Sequence, residues 1–325
     1  MEVVFKSVLR EELMSYIAFI KQSAIDHKPY QRTLSDLDAF LYSEGLDEKM
    51  LKSGQIGRWL DRFDVKPATK QGKLTHVRRF AGFLSTLGIK THLPELPRIP
   101  SSFEPYVFTF EEVTQLFEMA DDLAVNRPGS RRAAEFPMLL RILYGCGLRL
   151  GEALALTWDD IDLDNGVIMV RIAKNRKQRL VPMGGELTRI LRLYRAAPCF
   201  EMGEHDHLFK KNNGQPRKNN SYWDLFDSIL CDLGIKNQRT AKRGSRGPCI
   251  HSFRHVFAMH SFLKAESEGR TFMDTVPFLS TYLGHDGLLE TDKYLKARHE
   301  MYQESHTRIA AYVDGIFPRE EDYDG

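Results

Sequence analysis

The sequence predicts a mainly α-helical fold with one small β-sheet, divided into an N-terminal helical domain and a larger α+β domain. Three observations lead there. At 325 residues the chain is long enough to bury two cores. Apolar residues recur at helical spacing along most of it, and only one stretch, 167–182, reads as β. A single break, residues 90–106 with Pro94, Pro97, Pro100 and Pro105, interrupts the helical pattern, because proline lacks the N–H and disfavours helix in the residue before it. The linker belongs there, semi-extended.

Four apolar stripes fill residues 1–90. Leu9, Leu13, Tyr16, Ile17 and Ile20 lie on one helical face. Leu34, Leu37, Phe40 and Leu41 form the second stripe, and Ile56, Trp59, Leu60 and Phe63 the third. Leu74, Val77, Phe80, Ala81 and Leu84 form the fourth, with Lys73, Arg78 and Arg79 on the opposite face. Past the prolines, Thr109 and Glu112 have capping-box spacing and predict a helix through Met119. A strongly apolar helix is expected to end at Tyr144, before Gly145-Cys146-Gly147, and a short helix to carry residues 152–156. Asp164-Asn165-Gly166 is a turn signal ahead of the β-rich run 167–172, and Leu180-Val181-Pro182 closes a hairpin. Helices are expected near 186–196, 220–233, 251–265, 273–283 and 299–313.

A net charge of +2 does not by itself announce a polyanionic partner, but its distribution points to local anion sites. Lys66, Lys70, Lys73, Arg78 and Arg79 form one island without an acid. Arg171, Lys174, Arg176, Lys177 and Arg179 form a second, and Lys236, Arg239, Lys242, Arg243 and Arg246 a third. The tail 314–325 is acidic. The four cysteines are scattered with no C-x-x-C pair, so neither a zinc site nor a disulfide framework is expected. With no secretory start and no apolar run long enough to span a membrane, the expected location is the cytoplasm.

Five residues in chain order, Arg149, His251, Arg254, His285 and Tyr294, are what a tyrosine oxygen needs to attack a phosphodiester without a metal ion. Their surroundings carry a resemblance. Gly147-Leu148-Arg149-Leu150-Gly151-Glu152, followed by Ala153-Leu154-Ala155-Leu156-Thr157-Trp158, resembles the first arginine box of the tyrosine recombinases, the phage-integrase family. Ala173-Lys174-Asn175-Arg176-Lys177-Gln178-Arg179-Leu180-Val181-Pro182 resembles its β-hairpin lysine segment. His251-Ser252-Phe253-Arg254 resembles the H-x-x-R box, and Leu283-Gly284-His285 with Tyr294 resembles the last box and its nucleophile. The likeness covers roughly residues 107–300, and each motif gains its specificity from the others being present in order.

The resemblance implies a C-shaped clamp on DNA: a core-site-binding helical domain at 1–90, a linker at 91–106 and a catalytic domain at 107–325 with a C-terminal helix and acidic tail. It implies strand cleavage and rejoining through a 3′-phosphotyrosyl intermediate without metal, ATP or other cofactor. The implied partners are duplex DNA with paired core sites, a homotetramer on DNA whose C-terminal helix docks in trans on the next protomer or packs on its own domain, and accessory recombination proteins; the short N-terminal domain adds the expectation that the core sites are simple. Bound to DNA, the protein would lie in the nucleoid.

Physical chemistry supplies the roles. Phosphoryl transfer spreads negative charge over oxygens, and arginine binds phosphate through a planar fork that stays charged. Arg149 and Arg254 are the expected clamp. Arg149, following two glycines, is expected at a helix entrance. The resemblance implies that Tyr294, nine residues after His285, is the nucleophile; its rivals Tyr282 and Tyr302 fit the family spacing less well. Its phenol, with an ordinary pKa of about 10, needs a base. His251 is the candidate, with His285 bonding the phosphate or orienting Tyr294; residue order does not separate the two roles. Lys174 is the candidate acid for the 5′ leaving oxygen, with Lys177 on the same loop. Glu152, three residues after Arg149, reads as its buttress or as an ordinary ion pair. Lys70, Lys73, Arg78, Arg79, Arg176, Lys177, Arg179, Lys242 and Arg243 are the expected phosphate contacts.

Arg254 and His285 stand 31 residues apart. That is about one or two helical turns more than the resemblance implies, and the extra material is expected in 265–275. Asp159-Asp160-x-Asp162 reads as a turn rather than a magnesium site. Alternatives are a type IB topoisomerase-like enzyme, a catalytically inert DNA-binding relative, and a metallohydrolase on His251 and His255 or His205 and His207. The last lacks the glutamate of an H-E-x-x-H pair.

Overall fold

The computed structural model describes residues 4–23, 26–99, 106–171, 178–197, 203, 205–236 and 247–284. The chain divides into two compact units, residues 1–102 and 103–325.

The first unit holds α1 (Arg10–Gln22), α2 (His27–Ser43), α3 (Ser53–Asp61) and α4 (Pro67–Thr86). The residues of the first, second and fourth stripes are buried, as are Ile56 and Trp59 of the third. Leu60 and Phe63 pack partly buried against this core. Pro67 opens α4, where its missing N–H would have no helical partner in any case. Buried Asp38 accepts the backbone N–H of Lys6 (2.7 Å) and Ser7 (3.0 Å), fastening the N-terminal stretch to α2. The start of the proline-rich stretch lies along this unit. His92 N–H donates to Leu51 O at 2.8 Å, Gln71 Nε2 to Pro97 O at 2.6 Å, and Arg78 to Pro94 O.

The second unit contains α5 (Phe110–Asn126), α6 (Arg131–Cys146), α7 (Leu150–Ala155), α8 (Gly185–Ala196), α9 (Trp223–Asp232), α10 (Ser252–Ser267) and α11 (Phe272–Leu283). Between α7 and α8 lies an antiparallel sheet of β1 (Ile161–Asp162), β2 (Val167–Val170) and β3 (Arg179–Pro182), in that order. Helix α6 is the centre of this core. Phe136, Leu139, Leu140, Ile142 and Leu143 are all buried, the pattern of a helix covered on every side. It packs against α5, α8 and α10.

Helix α6 also buries a charge. Glu135 accepts Nε of Arg131 and of Arg217 (each 2.9 Å), the Tyr222 hydroxyl (2.9 Å) and Lys210 N–H (3.2 Å). A buried carboxylate is tolerable only when its oxygens are satisfied in this way.

Several sequence expectations shift in detail. The Thr109–Glu112 capping box forms, with bonds of 3.1 and 2.8 Å, but α5 continues past Met119 to Asn126. No proline or glycine interrupts residues 120–126; Pro128-Gly129 follows, with Gly129 at φ 83°. Strand β2 stops at Val170 rather than 172. Strand β1 pairs Ile161 with Ile168 and Asp162 with Val167, and at two residues it is too short to show a period. The three clustered acids, expected in a turn, lie instead in a short 3-10 helix (Trp158–Asp160) and at the end of β1. Asp160 accepts Thr157 N–H and pairs with Arg171, Asp162 accepts the N–H groups of Asp164 and Asn165, and Asp159 meets His205 Nδ1 at 2.7 Å.

Among the described residues no helix is long and apolar enough to cross a membrane.

Candidate active site

The site begins where α6 ends. Gly147 caps that helix in the left-handed region (φ 57°), its N–H bonded to Leu143 O at 3.0 Å. A Cβ at this position would lie 2.4 Å from the Phe257 ring, so glycine is required by backbone conformation and by space. Two residues on, Arg149 turns extended (φ −69°, ψ 145°) and sits at the entrance of α7.

Glu152 holds Arg149 there. Its carboxylate accepts Arg149 N–H at 3.0 Å through one oxygen and Arg149 Nη1 at 2.9 Å through the other. Glu152 is buried and also accepts Nη2 and Nη1 of Arg179, at 2.8 and 3.3 Å. Burial works against its charge, but the hydrogen bonds and charges of Arg179 and Arg149 outweigh it, and its pKa lies below the ordinary glutamate value. The reading of Glu152 as a buttress thus has the geometry of a buried carboxylate between two arginines, not of a surface ion pair.

The second arginine box comes in from α10. Arg254 is buried, with Nη1 donating to Gly147 O at 2.8 Å and Nη2 to Leu283 O at 2.6 Å. The long interval after Arg254 is therefore a helical hairpin that returns to its starting point. Helices α10 and α11 pack through Ala258, Phe262, Leu279 and Leu283. They are joined by a turn in which Thr271 caps α11. Ser267 stands thirteen residues after Arg254 on α10, so the turn lies about 20 Å along the helix from the Arg254 backbone. Residues 265–275 form the far tip of this hairpin.

Three successive carbonyls at the end of α11 each meet a different arginine. Arg179 Nε donates to Tyr282 O (2.8 Å), Arg254 Nη2 to Leu283 O (2.6 Å) and Arg149 Nη2 to Gly284 O (3.2 Å). The last carbonyls of a helix have no intrahelical partner and sit at its negative end, where cations are favoured. The next residue in the chain is His285.

His251 precedes α10. It keeps surface open to solvent, with its ring centroid 5.2 Å from that of His255. The protein around it, and then Arg254 and Arg149, disfavour the imidazolium, against an opposing pull from Glu152; its pKa lies below the ordinary histidine value. A neutral ring is the form that accepts a proton.

Tyr282 is not placed to be the nucleophile. Its hydroxyl donates to Pro182 O at 3.1 Å, its ring stacks on Phe257 with centroids 5.2 Å apart, and burial pushes its pKa up. Lys174, Arg176, Lys177, Lys242, Arg243, His285, Tyr294, Tyr302 and the helix expected at 299–313 lie outside the described residues.

In the first unit Lys70 and Lys73 are half-buried on α4. The Lys73 ammonium sits over the Phe63 ring at 4.1 Å, and Arg79 donates to the Tyr30 hydroxyl. With Arg78 on Pro94 O, three of these expected phosphate contacts have partners within their own unit. Sequence reasoning placed Arg179 with the hairpin cations and missed its pairing with Glu152. The one available signal was its position at the root of the hairpin rather than the tip. Among the described residues no three His, Cys, Asp or Glu are grouped to hold a metal ion.

Comparison with known proteins bears on the family and the fold. The phage integrase family matches residues 106–301. A Sinorhizobium fredii protein named as an integrase/recombinase is 28% identical over 311 residues, covering 93% of this chain and 97% of its own. The tyrosine recombinase XerC of Xanthomonas campestris pv. campestris is 30% identical, covering 92% and 88%. Among solved structures, the XerH recombinase in its pre-cleavage complex with difH superposes with a TM-score of 0.61 at 17% identity, over 86% of this chain and 79% of that one. The Tn1549 transposon integrase with right-end DNA gives 0.62 at 17%, over 90% and 98%. At those identities the structures bear on the fold, which they share. The family match spans more than half of the sequence and includes both arginine boxes and Tyr294, and the chain belongs to the phage integrase family.

Proposed function

We propose that this protein is a site-specific DNA recombinase that cuts and rejoins DNA through a 3′-phosphotyrosyl intermediate, serving integration, excision or transposition of a mobile element. The observation that carries the reading is the convergence of Arg149 and Arg254 on the end of α11, one residue before His285, with His251 close enough to both arginines to feel their charge.

The chemistry follows from those groups. The Tyr294 oxygen attacks the scissile phosphorus and its proton passes to neutral His251, while His285 bonds a phosphate oxygen. The bond to the 5′ oxygen breaks, and Lys174 supplies the proton that makes it a hydroxyl. Arg149 and Arg254 neutralise the charge on the non-bridging oxygens. A guanidinium has five N–H donors. Arg149 directs Nη1 to Glu152 and Nη2 to Gly284 O, and its remaining donors suit a phosphate oxygen. A 5′ hydroxyl from a partner strand then reverses the step, and the phosphotyrosyl bond conserves the energy of the original linkage.

Residues 1–90 act as the core-site-binding domain, 91–106 as the linker, and 107–325 as the catalytic domain, acting together on paired core sites. Lys70, Arg176, Lys177, Lys242 and Arg243 contact phosphate. Four protomers assemble on two sites, linked by exchange of the C-terminal helix, and accessory proteins direct the outcome. The bound enzyme resides in the nucleoid.

The test uses nicked suicide duplexes built from DNA flanking the gene. The expected result is a covalent protein–DNA adduct that forms in EDTA and yields recombinant strands when two sites are supplied. Loss of the adduct in EDTA contradicts the mechanism. Relaxation of supercoils without any site preference would favour a topoisomerase.

A further inference from the structure

Arg179 opens β3, at the foot of the hairpin that carries Lys174. It faces inward, with a side chain only 11% exposed. Its Nη groups grip both oxygens of Glu152 and its Nε holds Tyr282 O. Gly284 packs against the same guanidinium, since a Cβ there would meet it at 3.3–3.4 Å. The Tyr282 hydroxyl adds a second tie to the strand through Pro182 O. One side chain therefore touches the hairpin root, the carboxylate that orients Arg149, and the end of the helix leading to His285.

We propose that Arg179 is a positioning residue for DNA cleavage, fixing Glu152 and the end of α11 in register so that Arg149 and the chain after Gly284 reach the phosphate together. The proposal rests on the recombinase reading above. It takes Arg179 out of the set of expected phosphate contacts, because all of its described bonds run inside the protein. An arginine is needed because its planar fork serves two oxygens and a carbonyl at fixed angles, which a single ammonium cannot do.

The experiment compares the full-length parent with R179K and Arg179→Gln. It measures melting temperature, DNA affinity across a salt series, and single-turnover cleavage of the suicide duplex at saturating DNA. A parent that forms no adduct refutes the recombinase reading itself. Given an active parent, R179K is expected to fold and bind with an unchanged salt slope but to cleave about ten- to a hundred-fold more slowly. Arg179→Gln and Glu152→Gln are expected to combine less than additively in cleavage, since each disturbs the same junction. A salt slope smaller by about one in Arg179→Gln, which removes the charge, would make Arg179 a phosphate contact and overturn the proposal. Parent-like cleavage by folded R179K would also overturn it, as would additive effects of the two glutamine substitutions. Failure of both Arg179 variants to fold would assign the residue a purely structural role, again against the proposal.

Discussion

At the residue scale, the site is built from arginines that hold backbone carbonyls. Replacing Arg254 with alanine leaves the buried Gly147 and Leu283 carbonyls without these donors. Each unpaired carbonyl costs about 1–3 kcal/mol, so urea unfolding should show a clear loss of stability alongside the loss of cleavage. Arg254→Lys should retain more of the stability than of the cleavage, because a single ammonium keeps charge but not the fork. Glu152 makes a pH prediction. Its folded pKa is depressed below the ordinary 4.5, so its contribution to stability is complete above that value and is lost as pH falls through the lower folded value. Below pH 4.5 the parent should therefore lose stability more steeply than Glu152→Gln in urea unfolding. His251 makes another. As a base with a lowered pKa it should keep kcat/KM for cleavage level down through the ordinary histidine value of about 6.5, with an acid limb only below it. An acid limb unchanged in His251→Asn would assign that limb to another group.

At the element scale, the corner between α6 and α7 and the end of α11 form a single junction. Gly147→Ala would force a side chain into a left-handed backbone at a cost of about 1–3 kcal/mol, and would also displace the Phe257 ring. Denaturant unfolding should register the loss, and cleavage should fall with it, since Gly147 O is the anchor of Arg254. The sequence exposed this corner well. Gly147, Arg149 and Glu152 could be assigned from their spacing because a helix stop, a helix start and an i,i+3 pair are local events. The bonds from Arg179, Arg254 and Arg149 to three consecutive carbonyls were not legible, because a carbonyl acceptor has no sequence signature and its partners lie 29 to 135 residues away. Buried Glu135 was missed for a related reason. Its only signal was a lone acid within the apolar run of α6, and its partners Arg217 and Tyr222 come from a distant loop.

At the scale of the whole molecule, the two cores were legible because an amphipathic stripe is periodic and most of these residues are buried where the period places them. What escaped were features set by other contacts: the two-residue strand β1, the length of α5, and the internal partners of Lys73, Arg78 and Arg79. Those partners bear on DNA binding. Arg78 holds Pro94 O and so helps set the path of the proline-rich stretch. Arg78→Gln is expected to loosen that stretch, raising its protease sensitivity near residue 94, while Lys70→Gln weakens DNA binding with no such change.

The central claim is that Tyr294 is the residue that becomes joined to DNA. Trapping the adduct on a suicide duplex, digesting both partners and mapping the nucleotide-bearing peptide by mass spectrometry tests it most directly. The account predicts a single 3′-nucleotide on Tyr294 and no adduct in Tyr294→Phe; a nucleotide on Tyr282 or Tyr302, or an adduct that survives in Tyr294→Phe, would contradict it.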